Sequence, residues 1–215
     1  MLEIGIDREE SMKLWIEYLP KAHIHGIDIK KYESSDRITM HQVDQSNSSQ
    51  LKDFASNFND HFEFIIDDGS HVPAHQILTL SMLWNCLKEG GIYIIEDVET
   101  NYWGKSEIYG YQFDSQSPNL YDYLKEAPHH INAEFKTDSV IQHRVFDELE
   151  TISFGQNCII LEKKRTAYGQ FYNRNYRLAH LQNFRSWKVR IAKAFELLIK
   201  GHPRSSWKSL TNPKP

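Results

Sequence analysis

Apolar residues in the first 162 positions fall into two alternating patterns: short runs, and stretches in which they recur every three or four residues. Leu2-Glu3-Ile4-Gly5-Ile6 has strand character, and Met12, Trp15, Ile16 and Leu19 then share one helical face before Pro20 stops the helix. His23 to Asp28 and Arg37 to Val43 are the next strands, and Leu51, Phe54 and Phe58 mark a second helix. Phe62 to Asp67 is the clearest strand, four apolar positions in six closing on two aspartates. A helix from about Pro73 to Leu87 follows, then a Lys88-Glu89-Gly90-Gly91 turn and the strand Ile92 to Ile95. Strands alternating with amphipathic helices specify an α/β fold with a mostly parallel sheet covered on both faces. After Val98 the alternation loosens into an aromatic loop over residues 99–117, with a helix near Leu120–Ile131. Two strands, about Glu150–Phe154 and Asn157–Glu162, close the pattern as an antiparallel hairpin around Gly155-Gln156.

Charge divides the chain where the alternation ends. Residues 163–215 hold 13 of the 25 lysines and arginines but a single acid, Glu196, although the whole chain carries only −4. The expected organisation is an acidic α/β domain over 1–165 and a basic helical extension over 166–215 with a disordered end. The extension's helix, from about Leu178 to Lys200, has an apolar face running from Leu181 through Phe184, Trp187 and Ile191 to Leu198. That face suits docking on the acidic body or on a second copy, giving a homo-oligomer. A basic amphipathic helix also suits peripheral contact with an anionic membrane. No recognised nucleic-acid motif accompanies the charge, so no nucleic acid is expected. The longest apolar run falls short of the roughly 18 residues that span a bilayer, and no basic leader or cleavage site follows Met1. Cys86 and Cys158 sit in apolar stretches as expected free thiols, so the expected address is cytoplasmic.

In an open α/β sheet, ligands bind outside the carboxyl ends of the strands. Those ends are acidic here: Asp28, Asp44, Asp67-Asp68 and Glu96-Asp97. Asp28 follows Gly5 at about the separation at which nucleotide-binding folds set an acid against ribose hydroxyls. Asp68, Glu96 and Asp97 from neighbouring strand ends repel one another unless they share protons or a cation. Oxygen donors without a thiolate suit a hard ion such as Mg²⁺ or Mn²⁺. In a regular strand Glu96 and Asp97 point to opposite faces, so both can serve one ion only if the strand ends there. His71, three residues past Asp68 on a Gly-Ser turn, is placed to take a proton from a hydroxyl near that ion. His75, one turn further on, reads as a surface histidine. No G-x-G-x-x-G follows the first strand, which disfavours nicotinamide chemistry.

The run Asp67-Asp68-Gly69-Ser70-His71, then Gly90 to Asp97, then Tyr102-Trp103, resembles the metal-dependent sugar O-methyltransferases of the macrolide (mycinamicin) type. Those enzymes belong to the class I S-adenosylmethionine-dependent methyltransferases. Leu2-Glu3-Ile4-Gly5, Trp15, Gly26-Ile27-Asp28-Ile29 and Asp44-Gln45-Ser46 fit the same resemblance, which covers residues 1 to about 163. It implies a Rossmann-like methyltransferase sandwich, S-adenosylmethionine and Mg²⁺ (or Mn²⁺) as cofactors, and methylation of a sugar hydroxyl on a small-molecule or glycan acceptor. It also implies site roles: Asp68, Glu96 and Asp97 as metal ligands, His71 as general base, and Glu3, Gly5, Asp28, Asp44, Gln45 and Asp67 at the cofactor. Tyr102, Trp103, Tyr109 and Tyr111 form an aromatic loop suited to a sugar face or to plain hydrophobic anchoring. The family's glycine-rich loop is replaced by Ile6-Asp7-Arg8-Glu9-Glu10, which brings bulk and charge to the cofactor turn. The resemblance also leads one to expect helices before the first strand, and the sequence opens without them. The rival expectation is a degenerate methyltransferase-like domain with a binding or assembly role.

Overall fold

The computed structural model describes residues 1–103, 105–106, 111–112, 119–132 and 143–165. The chain divides into two compact units, Met1–Thr166 and Ala167–Pro215, and the described residues all belong to the first. The helix expected over Leu178–Lys200 lies outside them, as do the side chains of Tyr109 and Tyr111.

Strands β1 (Leu2–Ile4), β2 (Ile24–Asp28), β3 (Ile38–Gln42), β4 (Phe62–Asp67) and β5 (Leu87–Glu96) are parallel. Two short strands, β6 (Lys105–Ser106) and β7 (Tyr111–Gln112), pair only with each other. The hairpin β8 (Leu149–Gly155) and β9 (Cys158–Lys163) joins the main sheet antiparallel, through β9 against β5. The order is β3-β2-β1-β4-β5-β9-β8, so the chain starts in the middle, winds outward to β3 and then returns to β4. The reversal between β1 and β4 opens a crevice at their carboxyl ends, where ligands bind in doubly wound sheets.

Helix α1 (Glu10–Tyr18) packs on one face of the sheet, setting Met12 against Ile6, Ile24, Ile38 and Ile66. The other face carries the larger core, in which α2 (Ser48–Ala55) and α3 (Pro73–Leu83) contribute Leu51, Phe54, Leu80 and Leu83 against Leu2, Ile65, Tyr93 and Ile95. Asn47 caps α2 by accepting from the Ser49 and Gln50 amides, and Pro73 stands in the first turn of α3, where its missing N–H costs nothing. Among the described residues no helix is long and apolar enough to cross a membrane.

Two elements and one side chain depart from the sequence expectation. Lys88–Gly91 is not a turn ahead of a strand but an irregularity inside β5, which pairs Leu87 with Phe62 and then Ile92 with Phe64. The left-handed φ of +70° at Gly90 absorbs the extra residues. The segment around Leu120–Ile131 forms two short helices, α4 (Leu120–Leu124) and α5 (Ala127–Ile131), because Pro128 has no N–H to continue the first. Cys86 is buried as expected but Cys158 only half so; both are free.

Candidate metal and cofactor site

Gly5 ends β1 with φ +88°, and its amide donates to the carbonyl of Ile27 at 2.9 Å. A Cβ there would stand 2.2 Å from the Asp68 carbonyl oxygen, so the end of β1 and the loop after β4 touch backbone to backbone. Asp28, at the end of β2, accepts from the Ile6 amide at 2.9 Å and from the Lys30 amide at 2.7 Å. The structure thus gives Asp28 a bracing duty: its carboxylate holds the turn that leaves β1. Glu3 is almost wholly buried, accepts from the indole N–H of Trp15, and is pushed above the usual carboxylate range chiefly by burial. Asp44 accepts from the amide and hydroxyl of Ser46, which hold its carboxyl below the usual range.

Asp67 and Gln45 form a buried pair beneath the loop that follows β4. Asp67 is fully buried, sharing the inward face of β4 with Ile65, and desolvation pushes its pKa up to about 7. Gln45, 8% exposed, donates to Asp67 Oδ1 at 2.7 Å and accepts from the Ser70 amide at 2.8 Å. Together they support the Asp68-Gly69-Ser70 loop from beneath. Gly69 is confined there, since a Cβ would meet the Gln45 Oε1 at 2.4 Å. His75 is half-buried, its Nδ1 3.0 Å from Ser70 Oγ, and so belongs to this loop rather than to an open helix face.

Above that support, Asp68, His71 and Asp97 each present one ligand atom, all within 4.8 Å of one another. His71 Nε2 lies 3.5 Å from Asp97 Oδ2. Glu96 is not in this set, although it is close enough for Asp68 and Asp97, after burial, to raise its pKa. Burial also raises the Asp68 carboxyl, with His71 opposing and Asp97 adding to the rise. The regular strand ends between these two acids: β5 stops at Glu96, and Asp97 turns left-handed at φ +51°.

Three side chains not expected at the site from the sequence fix this strand end. Gln76, fully buried on α3, donates to the Glu96 carbonyl at 2.9 Å. Thr100 Oγ1 lies 2.7 Å from the His71 carbonyl oxygen and 3.3 Å from that of Asp97, tying the two loops together. Asn157, from the β8–β9 hairpin, donates to Asp97 Oδ1 at 2.7 Å. Only Gln76, on the apolar face of a helix, carried a local signal as a buried polar residue needing a partner. Tyr102 and Trp103 follow on the surface, Tyr102 73% exposed, with its ring 5.3 Å from that of Tyr121.

No family model matches the chain. It is 35% identical over 95 residues to the 8-demethyl-8-alpha-L-rhamnosyl tetracenomycin-C 2'-O-methyltransferase of Streptomyces olivaceus, covering 43% of this chain and 25% of that enzyme. It is 34% identical over 112 residues to the mycinamicin VI 2''-O-methyltransferase of Micromonospora griseorubida, covering 48% and 28% respectively. The chain therefore spans about a quarter of the length of these curated relatives. Among solved structures, the MycE methyltransferase of the mycinamycin biosynthetic pathway, in complex with Mg and SAH, superposes with a TM-score of 0.65 at 28% identity. That match covers 76% of this chain and 45% of MycE. In fold and in sequence the chain is thus similar to the class I S-adenosylmethionine-dependent methyltransferases, and among them to those that methylate sugar hydroxyls.

Proposed function

We propose that this protein transfers a methyl group from S-adenosylmethionine to a sugar hydroxyl, assisted by Mg²⁺ or Mn²⁺. The observation that carries the reading is the convergence of Asp68, His71 and Asp97 within 4.8 Å at the ends of two neighbouring strands, beside the crevice at Gly5. The donors fit a hard divalent cation: the carboxylate oxygens of Asp68 and Asp97, with a third carboxylate, Glu96, close enough for both to raise its pKa after burial. Burial first, and the neighbouring carboxylates after it, raise Asp68 and Glu96, and a bound cation would oppose that rise. When bound, such an ion would acidify an acceptor hydroxyl and fix its oxygen. His71 would receive the proton at Nε2, and the hydroxyl oxygen would take the methyl group as the sulfur–carbon bond breaks, leaving S-adenosylhomocysteine. Gly5, Asp28, Asp44 and the buried Glu3 form the cofactor side, and Asp67 with Gln45 serves it by holding the loop. The exposed Tyr102 and Trp103 are the proposed face for the sugar, since aromatic rings pack against apolar sugar faces.

The test is equilibrium binding followed by turnover. Calorimetry should detect Mn²⁺ and S-adenosylmethionine on the full chain, and labelled methyl should pass to a rhamnoside. Asp68→Ala should remove Mn²⁺ binding and metal stimulation; unchanged stimulation would refute the ligand assignment.

One observation favours a domain that binds without turnover: Asp7 and Glu9 adopt left-handed φ of +43° and +61° in the turn after β1. Absence of S-adenosylmethionine binding at millimolar concentration would support that alternative. The basic segment 166–215 is proposed to mediate a homo-oligomer, and the proposed location is the cytoplasm.

A further inference from the structure

Sheet topology brings the β8–β9 turn to the Asp97 loop. Because β9 runs antiparallel to β5 with Cys158 opposite Glu96, the residue before Cys158 meets the residue after Glu96. Those two are Asn157 and Asp97. We propose that Asn157 is a positioning residue that sets the Asp97 carboxylate for the divalent ion; the inference rests on reading Asp97 as an ion ligand.

Asn157 is the second residue of a two-residue loop and has φ +60°, a conformation asparagine tolerates better than most side chains. Its amide is used on both sides. Oδ1 accepts from the Glu99 N–H at 3.0 Å, and Nδ2 donates to Asp97 Oδ1 at 2.7 Å. Its carbonyl also receives the Val98 N–H at 3.5 Å. The Glu99 N–H is only a donor, so the amide oxygen must face it and the NH₂ must face Asp97. This settles which carboxylate oxygen remains for other partners: Oδ1 is held by Asn157, while Oδ2 stands 3.5 Å from His71 Nε2.

The chemistry of the residue also fits. A lysine or arginine here would hold Asp97 equally well but would cancel the charge a cation needs. A neutral amide orients the carboxylate and leaves that charge in place. Hydrogen-bonded partners of this kind fix ligand orientation, and their loss typically weakens metal affinity about 10- to 100-fold.

The experiment measures Mn²⁺ affinity on the full chain by calorimetry, with melting temperature and S-adenosylmethionine affinity recorded in EDTA. Asn157→Gly keeps the left-handed turn and removes the amide. It should weaken Mn²⁺ binding about 10- to 100-fold and leave cofactor affinity in EDTA unchanged. In an Asp97→Asn background the same substitution should have no further effect on Mn²⁺, because its action passes through Asp97. Asn157→Ser offers the same comparison should the glycine variant fold poorly. Wild-type Mn²⁺ affinity in a folded Asn157 variant, alongside its loss in Asp97→Asn, overturns the inference while leaving the functional reading intact. Unchanged Mn²⁺ binding in Asp97→Asn overturns both.

Discussion

A side chain on Gly5 would begin 2.2 Å from the carbonyl oxygen of Asp68. One backbone contact therefore joins the proposed cofactor side of the crevice to the first of the proposed ion ligands. Gly5→Ala would have to move the Asp68 loop and also hold alanine at φ +88°. The expected cost is on the order of 3 kcal/mol, from left-handed strain and overpacking together. Urea denaturation should show that loss with an unchanged m-value, and the folded fraction should bind Mn²⁺ more weakly.

His71 lies in the same ion-sized set as Asp68 and Asp97, so proximity alone leaves it able to ligate or to accept a proton. Kinetics separate the roles. As a base, His71→Ala should lower kcat by about 10²–10⁴ while Mn²⁺ affinity stays near that of the wild type. A matching fall in Mn²⁺ affinity would make the imidazole a ligand and would move the proton acceptor elsewhere.

The acidic strand ends were legible in the sequence because strand termini follow from apolar runs, and an acid after an apolar run is easy to see. Phe62–Asp67 was located to the residue for this reason. The inward burial of Asp67 was also available, since period-two alternation sets it on the same face as Ile65. Its pairing with Gln45 was not, because that hydrogen bond joins residues 22 positions apart through sheet order. Asn157 was hidden more deeply: it lies 60 positions from Asp97, and only the antiparallel register of β9 on β5 brings the two together. The interruption at Lys88–Gly91 misled because a Gly-Gly pair marks a turn locally, while the hydrogen bonds that keep Leu87 in the strand are supplied by β4.

The turn after β1 departs from a glycine-rich one in composition but keeps backbone angles that glycine favours. Glu9 stands at φ +61° immediately before α1, a conformation that costs an ordinary side chain about 1–2 kcal/mol. Glu9→Gly should relieve that strain, offset in part by glycine's greater unfolded-state entropy, for a net gain of about 0.5–1 kcal/mol. A rise in melting temperature of about 1–4 °C is the expected reading. Glu10→Gly, one residue into the helix, should instead destabilise by about 0.5–1 kcal/mol. If the bulk at Glu9 hinders cofactor entry, calorimetry should also show tighter S-adenosylmethionine binding in Glu9→Gly.

Away from the site, His25 on β2 makes the stability of the domain sensitive to acid. Its ring is buried among Phe58, Phe62, His23, His41 and His61, and its Nδ1 lies 3.2 Å from His41 Nε2. Desolvation first, then the neighbouring histidines and the N-terminal amine, lowers its pKa to about 4, and desolvation lowers that of His41 as well. The unfolded chain titrates near 6.5, so between roughly pH 6.5 and 4 it binds protons that the native state refuses. Stability from this cluster is complete above about pH 6.5 and declines as pH falls toward 4, on the order of 2–3 kcal/mol for His25. Urea midpoints between pH 8 and pH 5 should drop accordingly. His25→Phe, which keeps an aromatic ring among Phe58 and Phe62, should flatten that slope; an unchanged slope would assign the acid sensitivity to other groups.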